Sequence, residues 1–484
     1  TTAAPAAAFD PAAFAPLGVQ FGIGNPNNGG GSGTIETPSG IAIAPDGRVF
    51  VADDGTSGGR RVSAFSPTGK FLFAFGKNVS ASEPGTGAER CVDDCLRGEE
   101  GDGAGELAAP RGLAVDDEAI YVVETMNSRV SVFDHEGRFL RAFGKDVGGP
   151  GVDVCTDTCQ AGAATSQAGA MDGAWGIALV DGRAYVTDPG NARVDVFDAA
   201  TGEFLFAFGK WVGGEPEGSG DEGSNVCTTS CLKGVADGEP GSVVAGGIAL
   251  GPDGNLYTVG LSDSLISVFA PDGTYLRRFG AGPGDGAGQI EFASSLAVDG
   301  AGTVYVPDEA LSRIAAFDAG GGFLAAYGRD VAPGPPDRIE ACTVLCGPGK
   351  PGAGIGELVL ARSVAVDCRG AVYVGVLGRV EKWGVAGVEP PPCSLPPAPA
   401  EPPASPAAPP PASAPAPQPR RAGVVRVALR AKGAGVAELA RTGKLSAVVR
   451  VTFRPPGGAA RTVSRKVTLV KTGYARKSPS EKRR

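Results

Sequence analysis

The chain has 484 residues, 42% of them hydrophobic and only 20% charged, with 77 Gly, 40 Pro, ten Cys and a single His. That is ample apolar material for a large core in a turn-rich sequence. No run of 18 apolar residues is present, which excludes a membrane-spanning helix, and few stretches carry a helical period. The formal charge of −9 hides a division: residues 420–484 hold 18 bases against two acids, and the remainder holds 26 against 51. An acidic body with a basic tail suggests two electrostatic partners, or contact between tail and body.

The opening, TTAAPAAAFD, lacks a basic n-region and an apolar h-region. It is expected to be either the segment just after a removed secretory signal or the start of a truncated chain. Residues 1–16 are expected to be a disordered N-terminus. Residues 17–22, LGVQFG, read as an isolated strand.

From there a repeat takes over. Its clearest copy is Trp175–Gly209, with apolar anchors in four short runs separated by Asp-Gly, Pro-Gly-Asn and Thr-Gly. Alternating β-branched and aromatic runs between such turns predict a four-stranded antiparallel meander. Five more copies begin at Gly40, Gly112, Gly247, Ser295 and Ser363. Five of the six close on an aromatic-Gly pair, 32 to 36 residues after their start. An all-strand array of this period predicts a β-propeller. The sixth copy runs into proline at Pro390 without its fourth strand, and the orphan strand at 17–22 matches the missing piece. The predicted fold is therefore all-β: a six-bladed β-propeller over 17–388, with the N-terminal strand completing blade six and leaving no open edge. A Pro/Ala-rich linker comes next, at 389–419, and favours extended polyproline II. Residues 420–472 read as a small strand-rich basic segment with a hairpin around Pro456-Gly457-Gly458, and 473–484 as a disordered basic tail.

The repeat Gly-Ile-Ala-x-x-x-Asp-Gly-x-(Val/Leu)-Tyr-Val-x-Asp, then Asn-x-Arg-Val-x-Val-Phe, then Phe-Leu-x-x-Phe-Gly resembles the NHL repeat, across roughly residues 17–384. The inserts after Phe-Gly, with Gly-Lys-x-Val and a later Cys-x3-Cys, are similar to those of bacterial, actinobacterial-type secreted NHL proteins. Some eukaryotic NHL domains bind nucleic acid through a basic face. The acidic body here opposes phosphate, so no nucleic-acid partner is expected. The histidines and metal ligands of NHL-like lyases, and the acid and Asn ligands of calcium-dependent lactonase-type propellers, are not matched.

Four blade-to-blade inserts carry Cys-x3-Cys: Cys91/Cys95, Cys155/Cys159, Cys227/Cys231 and Cys342/Cys346. A structural zinc site needs four convergent ligands, and these pairs are spread around the ring, so local disulfides are expected. Cys368 and Cys393 are expected to pair and anchor the chain's exit from the propeller. An even count of ten fits an oxidising compartment, secreted or cell-envelope. The inserts and the second-to-third-strand loops emerge on one face, where binding is expected.

Asp53, Glu124, Asp188 and Asp308 end the second strands of their blades, while Arg61, Arg129, Arg193, Arg313 and Arg379 begin the third. Because a catalytic residue is needed once, this repetition predicts one structural acid–Arg pair per blade rather than a catalytic ring. Blade four breaks the pattern with Gly260 and Leu265. His135, in a turn, is expected to be exposed on the face opposite the inserts, and no second His exists for a triad or a His-based metal site. The Asp/Gly-rich inserts at 99–103 and 221–222 offer oxygen ligands for Ca²⁺ but no EF-hand spacing. No catalytic, metal or cofactor residue is assigned.

These readings converge on a non-catalytic extracellular binding or scaffold propeller. Its insert-bearing face would meet a protein, peptide or glycan, and its basic tail an anionic wall polymer. The alternatives are an extracellular hydrolase or lyase using a cation, such as Ca²⁺, in the channel, and a sensor ectodomain.

Overall fold

The computed structural model describes residues 11–22, 30–55, 60–82, 85, 87–213, 225–385, 444–453 and 461–470. The chain divides into two units, residues 1–398 and 399–484. The first is a six-bladed β-propeller. In blade one the strands run outward from the axis as Pro38–Ile43, Val49–Asp54, Arg60–Phe65 and Phe71–Lys77. Blades two to five repeat this order from innermost strands at Pro110–Val115, Ile177–Val180, Ala245–Leu250 and Ala297–Val298, and blade six begins at Ser363–Val366. The second and third strands are buried on both faces, so most of their side chains are apolar in both directions of the pleat, with buried charged and hydroxyl groups near one end. This produces six cores, one between each pair of neighbouring blades.

The ring closes as the repeat implied. Strand Phe14–Phe21 pairs antiparallel with Arg379–Val385 and forms the outer edge of blade six. It starts three residues before the expected Leu17, because Phe14 is a core residue. Its ring lies 4.7 Å from Tyr327 and stacks on Tyr305 and Trp383. The Phe-Gly signature marks only the strand's other end, so residues 14–16, expected to be disordered, join the propeller, and Pro11–Ala13 before them form a short 3-10 turn.

Two devices hold the inner ring. Glycine backbones let adjacent innermost strands nearly touch: a Cβ at Gly40 would collide with the Arg111 carbonyl oxygen, and one at Gly112 would sit 2.5 Å from that of Trp175. A hydroxyl then links each blade to the next. Ser39 donates to the Pro110 carbonyl, Thr125 to Ala174, Thr187 to Gly246, Ser264 to Glu291, Ser294 to Arg362 and Ser363 to Pro38. The last link, 2.8 Å long, spans the non-covalent seam.

Four inserts add a fifth, outermost strand that the repeat alone does not show: Ala88–Cys91, Val154–Cys155, Asn225–Cys227 and Ile339–Cys342. Each ends on the first Cys of its pair, opposite an alanine: Ala74, Ala142, Ala207 and Ala326. The second Cys of each pair, Cys95, Cys159, Cys231 or Cys346, lies beyond the strand. Blade four, without a Cys insert, keeps four strands and has Arg278 at the alanine's place.

In the second unit, Lys444–Phe453 and Arg461–Val470 form an antiparallel pair. The linker at 389–419, residues 420–443 of the basic segment and the tail at 473–484 lie outside the described residues. Among the described residues no helix is long and apolar enough to cross a membrane.

Phe14→Ala should cost about 3–5 kcal/mol, as for a buried Phe, and Leu17→Ala much less. Denaturant unfolding of both variants checks this; equal losses would mean that Phe14 does not anchor the closing strand.

Candidate functional site

The four expected cysteine pairs are local disulfides: Cys91–Cys95, Cys155–Cys159, Cys227–Cys231 and Cys342–Cys346, with Cα atoms 5.2 to 5.5 Å apart. The first Cys of each pair is buried against its blade. The second is buried at Cys95 and Cys231 but only half-buried at Cys159 and Cys346, so these bonds differ in how far they reach toward the surface. Cys368 is also disulfide-bonded, while Cys393 lies outside the described residues. Closing a five-residue loop contributes about 2 kcal/mol on the chain-entropy account, so each bond shapes its own insert. The alanine beneath each pair leaves room for the sulfurs.

Asp53, Glu124, Asp188 and Asp308 face Arg61, Arg129, Arg193 and Arg313 in register, all of them buried. Their direct contacts are unequal. Arg129 Nε donates to Glu124 Oε1 at 2.8 Å, whereas Arg313 Nε lies 3.4 Å from Asp308 and Arg193 Nε 3.7 Å from Asp188. Asp53 instead accepts from the backbone N–H groups of Glu36 and Thr37, at 2.9 and 2.7 Å, and Arg61 Nε has no hydrogen-bond partner. Burial pushes Asp53 up to about 6, although those amides and Arg61 pull it back.

What recurs is a bond to backbone. Each carboxylate accepts amides of the insert entering its blade: Ala108 to Glu124, Asp172 to Asp188, Glu291 and Phe292 to Asp308. Each guanidinium donates to carbonyls of that insert's Gly-rich turn, as Arg129 does to Asp102, Gly103 and Glu106. It also reaches the carbonyl just after the second Cys of its own blade: Leu96 from Arg61, Gln160 from Arg129, Leu232 from Arg193 and Gly347 from Arg313. Cys95, Cys159, Cys231 and Cys346 thus each hold the residue whose carbonyl meets the buried arginine. The turn carbonyls at 102 and 103, considered as Ca²⁺ ligands, receive an arginine. Asp221 and Glu222 lie outside the described residues.

Blades four and six reach the same end by other routes. In blade six Val376 occupies the acid's place, and the carboxylate comes from Glu381, 2.6 Å from Arg379. In blade four, with Gly260 and Leu265, Arg278 of the outermost strand donates to the Gly238 carbonyl. That carbonyl stands five residues before buried Val243, as Asp102, Ser166 and Asp285 stand before Leu107, Met171 and Ile290. Only about 20 Å³ is left open there, so the broken pattern is a substitution rather than a binding pocket.

Blade three carries an extra carboxylate. Asp195 occupies the place of Ser63, Ser131 and Ser267, and its Oδ1 lies 3.0 Å from Arg193 Nε. Burial and then Asp195 push Asp188 well up, and burial raises Asp195 as well.

His135 is half-buried rather than exposed. Its Nε2 lies 2.8 Å from the Asp116 carbonyl oxygen, and Arg48 of blade one donates to the His135 carbonyl, so the turn is packed at a blade boundary.

The residues that vary from blade to blade lie elsewhere. Immediately before the Gly or Ser of each innermost strand stand Ser39, Arg111, Trp175, Gly246, Ser294 and Arg362. Asp54 ends the second strand of blade one, and Glu309 directly follows that of blade five. Motif reading passed over these positions because they carry no recurring residue, although that variability was itself a signal. Arg111, Trp175, Asp54, Glu309 and Arg362 converge with Thr37 and Phe292 on a cavity of about 190 Å³ at the channel mouth. All lie at insert ends, at the start of an innermost strand or at the end of a second strand, hence on the insert-bearing face. The Arg111 guanidinium stacks 3.9 Å from the Trp175 ring centroid and lies 3.6 Å from Asp54 Oδ2. Arg362 Nε donates to Glu309 Oε1 at 2.8 Å. Burial raises Asp54 despite Arg111, Arg60 and Arg362, and burial lowers Arg111. Sharing Ser39, Trp175 and Ser294 with the mouth is a channel cavity of about 210 Å³, walled by aliphatic side chains such as Ile41, Leu113, Ile177 and Ile248. Among the described residues no group of three or more His, Cys, Asp or Glu could hold a metal ion.

No protein-family model and no curated protein matches the chain. Solved structures do. A Bacteroides thetaiotaomicron protein of unknown function is 14% identical, with a TM-score of 0.45, covering 77% of this chain and 75% of that one. A Xanthomonas campestris gluconolactonase is 14% identical, with a TM-score of 0.39, covering 77% and 97%. Virginiamycin B lyase from Staphylococcus aureus is 11% identical, with a TM-score of 0.38, covering 73% and 97%. These similarities concern the fold alone.

The buried charges can be tested in two blades. Arg278→Ala should destabilise blade four by about 1–2 kcal/mol, and adding Leu265→Arg should recover most of that loss; a double variant no more stable than the single would refute the substitution. For Asp195 the sign is set by its raised folded pKa. The unfolded chain ionises from about pH 4, and the folded pair only at higher pH, so the pair costs stability as pH rises through that window. Asp195→Ser should therefore melt above the wild type by a margin that is smallest near pH 4 and grows toward neutrality. A margin independent of pH in thermal melts would count against it.

Proposed function

We propose that this chain is a secreted or cell-envelope propeller of the NHL-repeat kind that binds a protein, peptide or glycan without transforming it. Binding would take place at the channel mouth on the insert-bearing face. One observation carries the reading. The repeated acids and arginines are committed to backbone groups, whereas the non-repeated charged and aromatic residues gather around one open cavity. Concave sites with a few convergent polar groups are where ligands bind. The disulfides support an oxidising compartment. The basic segment from Arg420 onward would hold the propeller near an anionic wall polymer.

Peptide and glycan arrays probed with three forms of the protein test this: wild type, Arg111→Ala/Arg362→Ala, and Arg138→Ala in a turn of the opposite face. The expected outcome is a set of ligands lost by the mouth variant and kept by Arg138→Ala. Ligands retained by the mouth variant would place recognition elsewhere and sink the proposal.

A further inference from the structure

Charged side chains line the mouth and none lines the channel, and this arrangement suits a particular kind of ligand. The channel is walled by glycine backbone and by Ile41, Leu113, Ile177, Ile248 and Leu296. At about 210 Å³ it is smaller than the roughly 300–1,000 Å³ of pockets for drug-sized molecules. It therefore has room for one side chain or a short hydrocarbon, which would lie between glycine backbone and the edges of these aliphatic side chains.

The mouth is electrically balanced, with Asp54 and Glu309 against Arg111 and Arg362 beside the rings of Trp175 and Phe292. The arginines are not saturated. Arg362 uses Nε on Glu309, and among the described residues its terminal nitrogens donate no hydrogen bond. Arg111 faces Asp54 at 3.6 Å without a hydrogen bond, and its Nε is buried without a partner. Stacking on Trp175 orients the guanidinium plane. A planar, oriented guanidinium with unused N–H groups is suited to bidentate carboxylate recognition. The surrounding body carries 26 bases against 51 acids, so the two arginines stand out at this mouth as partners for an anion.

We infer that the mouth takes a carboxylate carried on a short apolar stem, with the carboxylate at Arg111 and Arg362 and the stem in the channel. Two sources share that chemistry: the C-terminus of a peptide ending in an apolar residue, and a free short-chain carboxylic acid. The inference deepens the binding reading of the same site and rests on it.

Isothermal calorimetry on the full chain with N-acetyl-leucine, N-acetyl-leucinamide and 4-methylpentanoate tests it. N-acetyl-leucine should bind, and its amide should bind at least about tenfold more weakly, since the amide cannot accept charge-assisted bonds. Arg111→Gln and Arg362→Gln should each weaken N-acetyl-leucine comparably, with melting temperatures confirming that both remain folded. Arg138→Ala should bind as the wild type does. Equal binding of N-acetyl-leucine and 4-methylpentanoate assigns the site to free acids, and binding of N-acetyl-leucine alone assigns it to peptide C-termini. Equal binding of acid and amide, or retention of binding in both arginine variants, overturns the inference. If array ligands require the mouth but none of these probes binds, the carboxylate assignment falls and the binding reading stands. If neither array ligands nor probes need the mouth, both fall.

Discussion

The propeller depends on buried guanidinium groups that bind backbone carbonyls. An arginine removed from water is costly unless its donors are met, and removing its partners leaves an uncompensated charge. Here most of the acceptors are not carboxylates. Arg193, for example, donates to the carbonyls of Ser166, Gln167 and Ala170 on the incoming insert and reaches that of Leu232, just beyond the Cys227–Cys231 disulfide. One side chain thereby ties two successive inserts to one blade. Gly-rich turns, which cannot fold on apolar burial, gain an internal cation around which their carbonyls gather.

This explains why departures from the repeat come in sets. A blade without a third-strand arginine needs another cation for its turn, and Arg278 supplies it in blade four from the next strand outward. Arg278 stands at the position where the other insert-bearing blades carry the alanine that faces the first Cys. Leu265, Arg278 and the absence of a Cys-x3-Cys thus fall together in one blade. Blade six makes a smaller exchange, moving its carboxylate from the second strand to Glu381 on the third.

The blade count, the strand meander, the seam and the local disulfides were legible in the sequence because each depends on periodicity or on short spacing. Phe14 was not, because its role is set by contacts with blades five and six that share no motif with it. The fifth strands were missed for a different reason. Their signal is a pairing between an alanine in one run and a cysteine well downstream, as between Ala74 and Cys91, and alanine by itself signals nothing. The acid–arginine positions were visible, but their bonding was not: a register match between Asp53 and Arg61 does not reveal that the carboxylate is spent on amides. The mouth was legible only as the place where alignment of the blades fails.

That failure has a physical reading. The innermost strands are positioned by glycine close approach and by the circuit of hydroxyl-to-carbonyl bonds, neither of which involves the side chains of Arg111, Trp175 or Arg362. Those side chains project from a wall that is already fixed, so they can change without loosening the ring. Residues that order the fold must recur in nearly every blade, because each blade faces the same packing problem. Residues that meet a ligand need not recur, because the ligand breaks the symmetry of the ring. On the binding reading proposed above, the concentration of charge and aromatic area at non-repeating positions over a channel of otherwise repeating glycine and aliphatic wall would be the imprint of a partner on a scaffold whose stability is secured elsewhere.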